Sequence, residues 1–185
     1  MKKTLTLFII LGLVLLAGLA LAAEQKYQLS YSSDGNIQLP DYRKWVLLGS
    51  SLGLSYTETV PKEPPFNLVF AEPAVYDKFM QTGVWPDKTF LVLEVRESTG
   101  NISITKSGRA PTQKILAVEA EVKDGSKGGW GFYAFETGGK TGKLLPKTMT
   151  CYSCHEQHAA TDNTFVQFYP TLIDVAKQHG TFKDR

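Results

Sequence analysis

Cysteine is scarce in this chain. Its 185 residues include two cysteines and three histidines. Two cysteines cannot build the framework of several disulfides that stabilises many small secreted proteins. A structural zinc site is disfavoured as well, because zinc usually takes four protein ligands and the sequence has no second C-x-x-C. The chemistry of the two cysteines therefore depends on where they occur.

An excess of charge of one sign is also missing. The chain carries 20 basic and 18 acidic side chains. Loss of an N-terminal segment containing Lys2 and Lys3 would leave 20 − 2 = 18 basic residues, and a formal charge near zero. This balance gives no indication of nucleic acid or of an acidic partner surface. There is no internal repeat or low-complexity tract, and the length suits a single domain with a sizeable core.

A long hydrophobic run occurs at the N-terminus. Lys2 and Lys3 precede an apolar stretch from Leu5 to Ala23, with small residues at Ala20 and Ala22. This pattern predicts a secretory signal peptide over residues 1–22, and therefore export to a bacterial periplasm. The run is also long enough to cross a bilayer, so a membrane anchor facing the periplasm is the alternative. No cysteine lies at the cleavage site, which excludes a lipoprotein.

The two cysteines occur together, in the segment Cys151-Tyr152-Ser153-Cys154-His155. This C-x-x-C-H is the attachment pattern of a c-type haem, in which each thiol adds to one vinyl group and the histidine becomes an axial ligand of the iron. A disulfide or redox dithiol beside a chance histidine is the alternative. We predict one covalently attached haem c, held by Cys151 and Cys154, with His155 bound to the iron.

No methionine follows His155. Electron-carrying cytochromes c place the motif near the N-terminus and return a later methionine to the sixth position of the iron. Met80 lies in a predicted amphipathic helix, where we expect it to pack in the core. Met149 and His158 are too close to the motif, and His179 is expected to be solvent-exposed. We therefore predict an open sixth position, which suits binding of small ligands.

Hydrophobic periodicity and turn residues predict an α+β fold with a mainly antiparallel β-sheet, a few helices and a haem-binding helix near the C-terminus. Residues 23–39 are expected to be a loose segment before a domain that spans residues 40–185. Strands are expected at residues 66–71, 89–96, 102–105, 114–122 and 129–136. Helices are expected from Pro40 to Gly49 or Gly53, from Pro73 to Gly83, around the C-x-x-C-H motif and from Pro170.

The sequence from about Pro40 to Leu172 resembles the cytochrome P-460 family. The segments that carry the resemblance are YRKWVLLG (42–49), EPAVY (72–76) with TGVWPD (82–87), LVLEVR (91–96), GWGF (129–132), and CYSCH (151–155) followed by HA (158–159), DN (162–163) and FVQFYP (165–170). The last block is the most specific. The resemblance implies a mainly antiparallel sheet, one c-type haem and often a homodimer.

The resemblance also separates two kinds of family member. The hydroxylamine oxidisers carry a lysine bonded to the porphyrin edge, and in our alignment that position is Leu93, which cannot form the bond. Lys88 is five residues earlier, on the other face of the predicted strand, and is a poor substitute. The related cytochromes c′-beta lack the crosslink and bind nitric oxide or carbon monoxide in an apolar pocket. This chain is more similar to them.

The resemblance further implies an acidic residue on the distal side, for which Glu119 is the candidate. A carboxylate there could accept protons from a nitrogen substrate. The alternation of Glu119 and Glu121 with apolar residues instead predicts the solvent-facing side of an antiparallel strand, and we favour that interpretation. Three phenylalanines are candidates for a distal cap, although each is expected to be ordinary core: Phe66, Phe70 and Phe90.

The sequence thus predicts an exported mono-haem protein whose five-coordinate iron binds nitric oxide or a similar small ligand. The alternatives are a hydroxylamine or nitric oxide oxidoreductase of the same fold, and an electron carrier. A redox partner protein and a second copy of the chain are the expected macromolecular partners. Nucleic acid is not expected.

Overall fold

The fold is built on one antiparallel sheet of seven strands, in the order β1-β7-β6-β5-β4-β3-β2. The computed structural model describes residues 27–56, 58–59 and 61–185. The strands are β1 (Ile37–Gln38), β2 (Val46–Leu52), β3 (Phe66–Ala71), β4 (Phe90–Thr99), β5 (Ala110–Asp124), β6 (Gly129–Phe135) and β7 (Thr141–Leu144). The α-helices of the described residues are α1 (Pro73–Thr82), α2 (Thr150–His158) and α3 (Pro170–Gln178). The predicted α+β class with an antiparallel sheet is confirmed.

Two segments differ from the sequence-based expectation. The predicted helix after Pro40 is wrong, because only Tyr42–Lys44 form a short 3-10 helix and strand β2 begins at Val46. Its apolar residues pair along β3 instead, and this tertiary pairing outweighs the local helical spacing. The predicted strand at 102–105 is a turn, where Asn101 and Ser103 have positive φ.

Part of the expected loose N-terminal segment is packed against the sheet. Ile37 is fully buried and pairs with Gly142 of β7. Tyr27, Leu29 and Tyr31 pack beside it. The predicted signal peptide, residues 1–22, lies outside the described residues. Among the residues that are described, no helix is long and apolar enough to span a bilayer.

The sheet is covered on both faces. On one face, called the helix face here, Ala71 and Leu91 pack against α1 and α3 through side chains such as Phe79 and Leu172. The other face buries Phe90, Val92, Val118 and Ala120 under residues 27–45. Because β4 is covered on both sides, Phe90, Leu91 and Val92 are all buried. This explains why its sequence is a continuous apolar run rather than an alternating one.

The opposite face also holds a buried carboxylate. Glu94 of β4 is fully buried, and its Oε2 accepts a hydrogen bond from the Tyr42 hydroxyl at 2.5 Å. Arg43 and Arg96 form ion pairs with the same carboxylate. Burial alone would raise the pKa of Glu94, but these hydrogen bonds outweigh it and lower the pKa. The cluster attaches the 3-10 helix before β2 to the centre of the sheet.

A close approach at Gly49 connects β2 to the C-terminal part of the chain. A β-carbon at Gly49 would lie 2.7 Å from the backbone oxygen of Phe168 and 3.3 Å from the ring of Tyr169. Only glycine leaves room for the backbone there. The segment Phe165–Tyr169 is thereby placed on the helix face, next to α2.

Candidate functional site

A cavity of about 540 Å³ lies on the helix face of the sheet. Strands β2 to β5, the connection after β2, helix α2 and the segment that follows it contribute its walls. The described lining includes Leu54, Tyr56, Val69, Leu93, Glu119, Glu121, Cys151, Cys154, His155, Phe165, Phe168 and Tyr169. All three functional residues of the C-x-x-C-H motif therefore meet at one cavity.

Helix α2 presents these three residues together. Cys151, Cys154 and His155 stand at spacings of three and four, which share one face of an α-helix. Tyr152, between the cysteines, attaches the helix to β6: its hydroxyl accepts from the Phe132 amide at 3.3 Å and donates to the Leu145 carbonyl at 3.1 Å.

The end of α2 is held by one glutamine. The Gln167 side chain accepts from the Ala160 amide at 3.0 Å and donates to the His158 carbonyl at 2.8 Å. It thereby satisfies a backbone carbonyl in the last turn of α2, where intrahelical partners run out. The motif helix is therefore held in its first turn and at its end.

His155 is held in one tautomer by the backbone. Its Nδ1 lies 2.7 Å from the carbonyl oxygen of Asn163. A carbonyl can only accept, so Nδ1 carries the hydrogen and the lone pair stays on Nε2. Burial lowers the pKa of His155, although the hydrogen bond to Asn163 opposes the shift. A neutral imidazole with a free Nε2 is the form that binds a metal ion.

Aromatic rings position the imidazole between them. The ring centroids of Phe132 and Phe165 lie 4.5 and 4.4 Å from that of His155. The His155 side chain is 13% exposed, and its Nε2 lies 3.7 Å from Oε1 of Glu121. Because Nδ1 is occupied by Asn163, Nε2 is the nitrogen available to a bound group.

Two carboxylates share the cavity with His155. Glu119 stands directly opposite Leu93 in the β4–β5 ladder, and Glu121 lies two residues further along β5. The expectation that this side of β5 faces solvent is wrong for Glu121, which is 18% exposed, because α2 and the segment after it cover the strand. Burial, followed by the neighbouring Glu119 carboxylate, raises the pKa of Glu121 to about 8.

Leu93 lies on the cavity wall. Lys88 lies just before β4 and forms an ion pair with Asp124. Among the described lining residues there is no lysine. The apolar neighbours of Leu93 in the wall include Val69 and Leu54.

The distal-cap candidates are not at the cavity. Phe70 and Phe90 pack on the opposite face, and Phe66 is absent from the described lining. Sequence reasoning missed the four aromatic residues that do line it: Tyr56, Phe165, Phe168 and Tyr169. The last three belong to the FVQFYP segment, so the family resemblance contained that signal. Tyr56 lies in the connection after β2, where no periodicity marks it.

None of the four side chains considered for the sixth position is among the described lining residues. Met80 was expected in the core but is 38% exposed on α1, and Met149 is 45% exposed. His158 and His179 are both exposed, as expected for His179. Within the described part of the lining, His155 is the sole histidine and methionine is absent.

The residues present fit a covalently attached haem. Two unbonded thiols and one imidazole with a free Nε2 face a cavity whose size is typical of cofactor sites. The Oε2 atom of Glu121 is buried with no hydrogen-bond partner among the described residues. A buried polar atom of this kind indicates a partner that is not part of the polypeptide.

Comparison with known proteins supports the binding of a haem, without showing how it is attached. The family model described as cytochrome P-460 matches residues 39–166, more than two thirds of the chain. The match includes strands β2 to β7, helices α1 and α2, and the complete C-x-x-C-H motif. A search of curated proteins found no matching sequence.

Proposed function

The chain belongs to the cytochrome P-460 family of haem-binding cytochromes, and from this premise we propose that it is an exported haem c protein that binds nitric oxide or a similar small ligand. One observation carries the proposal. Cys151, Cys154 and His155 line a single cavity in which the hydrogen bond to Asn163 leaves Nε2 of His155 free. In this proposal the two thiols form the thioethers and His155 is the protein ligand of the iron.

The haem would supply an iron that binds small molecules and changes oxidation state. The protein residues would hold it and determine what reaches it. His155 is buried between two aromatic rings, which fixes its orientation. The absence of methionine and of a second histidine from the described lining supports an open sixth position.

The apolar part of the wall supports a neutral diatomic ligand. Leu54, Val69 and Leu93 offer no hydrogen-bond partner to a polar substrate, and a buried polar group without a partner pays a desolvation cost. The leucine at position 93 also supports the uncrosslinked type of family member.

The test measures the spin state of the ferric holoprotein and the binding of nitric oxide by the ferrous holoprotein. We expect electron paramagnetic resonance of the ferric protein at neutral pH to be mainly high-spin, and the ferrous protein to bind nitric oxide with one ligand per haem in an optical titration. A purely low-spin ferric signal would exclude the open sixth position. Failure of the ferrous protein to bind nitric oxide would exclude the proposed ligand.

The second candidate function is oxidation of hydroxylamine or nitric oxide, and the cavity carboxylates favour it. Glu121 lies 3.7 Å from His155 and carries a raised pKa, so it could exchange a proton with a nitrogen substrate near neutral pH. Glu121 is thus a second candidate acid, on the same strand as Glu119, which was the candidate from the sequence.

Steady-state assay with hydroxylamine and a dye acceptor separates the two candidates. We expect little sustained turnover. Robust turnover that is lost in Glu121→Gln or in Glu119→Gln, while haem content is retained, would favour the enzyme. The two variants are matched in chemistry, so their comparison also identifies which carboxylate acts.

Export and assembly complete the proposal. Residues 1–22 would direct the chain to the periplasm, with retention as a membrane anchor as the alternative, and the mature protein would form a homodimer. Mass spectrometry of the mature N-terminus and light scattering of the purified protein test these two statements. An electron carrier, the third candidate, would have a filled sixth position.

A further inference from the structure

The carbonyl that holds His155 belongs to a tight turn with an unusual backbone. Thr161 and Thr164 exchange backbone hydrogen bonds of 3.3 and 2.8 Å, and the two residues between them, Asp162 and Asn163, have φ of +47° and +59°. Two central residues with positive φ define a type I′ turn. Asn and Asp tolerate this conformation better than most residues, but it remains less favourable than ordinary backbone. Contacts from the surrounding structure must therefore maintain it.

Those contacts come from the sheet and converge on Asp162. Its Oδ2 accepts a hydrogen bond from the Lys123 ammonium at 2.7 Å, and its Oδ1 accepts from the Trp130 indole at 3.3 Å. Both side chains of the ion pair are 24% exposed, so water screens the pair only in part. Lys123 and Trp130 lie on the neighbouring strands β5 and β6, which form a rigid base for the turn.

The other end of the turn is tied to the same lysine. Lys123 also donates to the backbone carbonyl of Trp85 at 2.7 Å. The Trp85 indole donates to the Thr164 hydroxyl at 2.8 Å, and this hydroxyl donates to the Thr161 carbonyl at 2.7 Å. Lys123 thus connects to both sides of the turn that carries Asn163.

We propose that Asp162 and Lys123 are positioning residues that set the strength of the hydrogen bond from His155 Nδ1 to the Asn163 carbonyl, and through it the properties of the iron. The inference rests on the proposed binding of the iron by His155. Outer-shell partners of a ligating histidine raise its basicity, and hydrogen bonding around an axial ligand changes the reduction potential of a haem. Here the outer-shell partner of His155 is the Asn163 carbonyl. Its position therefore depends on the side chains that hold the backbone of the turn.

The proposal predicts an effect that charge alone cannot give. If the turn relaxes, the hydrogen bond weakens, the imidazole donates less strongly, and the ferric state loses stabilisation. The reduction potential then rises in Asp162→Asn and also in Lys123→Met. A direct electrostatic effect has opposite signs instead: loss of the negative Asp162 raises the potential, whereas loss of the positive Lys123 lowers it.

The experiment is redox titration of the wild-type holoprotein and the two variants. We expect both variants to favour the ferrous state about threefold to tenfold more than the wild type, a rise of about 28 to 59 mV for a one-electron couple at about 59 mV per tenfold change. Resonance Raman spectroscopy of the ferrous protein should show a lower iron–histidine stretching frequency in both. Lys123→Arg, which keeps the charge and the donors, should restore values close to wild type.

Lys143→Met is the control for loss of a lysine charge, since Lys143 forms an exposed ion pair with Glu136. Lys143→Met should change neither the reduction potential nor the iron–histidine stretching frequency. Opposite shifts in Asp162→Asn and Lys123→Met, or an unchanged stretching frequency in both, would overturn the inference. Failure of the ligation proposal is distinguishable, because the wild type itself would then show no iron–histidine stretching band. If Asp162→Asn does not accumulate, Lys123→Met decides by the sign of its shift.

Discussion

At the scale of single residues, the side chain of Leu93 leads to a prediction about the bonds between haem and protein. It lies on the cavity wall opposite Glu119, where the hydroxylamine oxidisers of the family are expected to carry their bonded lysine. Leucine has no nucleophilic atom, so we predict two thioether bonds and no third bond between haem and protein. Mass spectrometry of proteolytic haem peptides measures this directly.

A control variant makes the crosslink prediction specific. Lys88 is the nearest lysine before β4 in the chain, and it is engaged with Asp124. Lys88→Arg keeps the positive charge but cannot provide a lysine amine, and its haem peptides should match those of the wild type. Detection of a haem-bonded lysine peptide in the wild type would contradict the prediction, and its loss in Lys88→Arg would identify the residue.

Glu94 is a residue whose ionisation stabilises the fold. Because its partners lower its pKa in the folded protein, it contributes stability above its unfolded pKa of about 4.3 and loses that contribution as the pH falls through the folded value. Glu94→Gln should lower the free energy of unfolding by about 2 to 4 kcal/mol near neutral pH, since it leaves Arg96 and Arg43 without their carboxylate.

Urea denaturation at several pH values tests the Glu94 prediction. The stability of the wild type should fall more steeply than that of Glu94→Gln as the pH is lowered from about 5 to 3. The matched control is Glu136→Gln, which removes an exposed ion pair with Lys143 and should cost at most about 1 kcal/mol. Equal losses in the two variants would show that burial of Glu94 confers no special role.

At the scale of elements, the contact between β2 and the segment after α2 shapes one wall of the cavity. Gly49→Ala would place a methyl group 2.7 Å from the Phe168 carbonyl, a backbone atom that cannot move away cheaply. We expect a loss of about 1 to 3 kcal/mol in urea denaturation. The optical spectrum of the haem should also change, because Phe168 and Tyr169 line the cavity.

The neighbouring residue supplies the control for this prediction. Ser50 lies on the same strand and lines the open part of the cavity, where it is exposed, so Ser50→Ala controls for stability alone and should be within about 0.5 kcal/mol of the wild type in urea denaturation. If Gly49→Ala is as stable as Ser50→Ala, the chain has room to separate β2 from Phe168, and the close approach is not a constraint.

The elements also show how much of the fold could be predicted from the sequence. Helix α1 was predicted with its ends, because Pro73 begins it and Gly83, at φ +66°, ends it. Strand β2 was predicted as a helix, because its apolar spacing suits both structures and only the pairing with β3 distinguishes them. Strands β1 and β7 have two and four residues, too short for any periodicity to appear.

Of the candidate site, the sequence predicted only the residues of the C-x-x-C-H motif. The C-x-x-C-H motif identified three residues that do meet at one cavity, because neighbours along a helix stay neighbours in space. The residues that complete the walls, such as Tyr56 and Phe168, come from distant parts of the chain and carry no local pattern. The burial of Glu121 likewise depends on which segment covers β5, and strand alternation alone cannot report this.

At the scale of the whole molecule, the cavity is built by segments that are far apart in the sequence, and it opens to solvent at Tyr56, which is 83% exposed. The first and last residues of its described lining are Gly49 and Tyr169, so its walls come from segments spread over most of the folded chain. A group that fills it would contact strands β2 to β5 and helix α2 together. Covalent attachment should stabilise the folded state by keeping the group beside the chain at a high effective concentration.

The last prediction follows from this arrangement. Denaturation of the wild-type protein and extraction with acidic organic solvent should leave the haem on the polypeptide, whereas any haem bound by Cys151→Ser/Cys154→Ser should leave with the solvent. The double variant should also unfold earlier, because haem that is not tethered dissociates when the chain unfolds. A loss of about a hundredfold in effective concentration costs about 3 kcal/mol, or roughly 6 to 12 °C in Tm for a chain of this size. Ser153→Ala, an exposed change within the same helix, controls for disturbance of α2 and should leave both properties unchanged. Extraction of haem from the wild type would contradict thioether attachment, and an unchanged Tm in the double variant would mean that the cavity walls hold together without the bond.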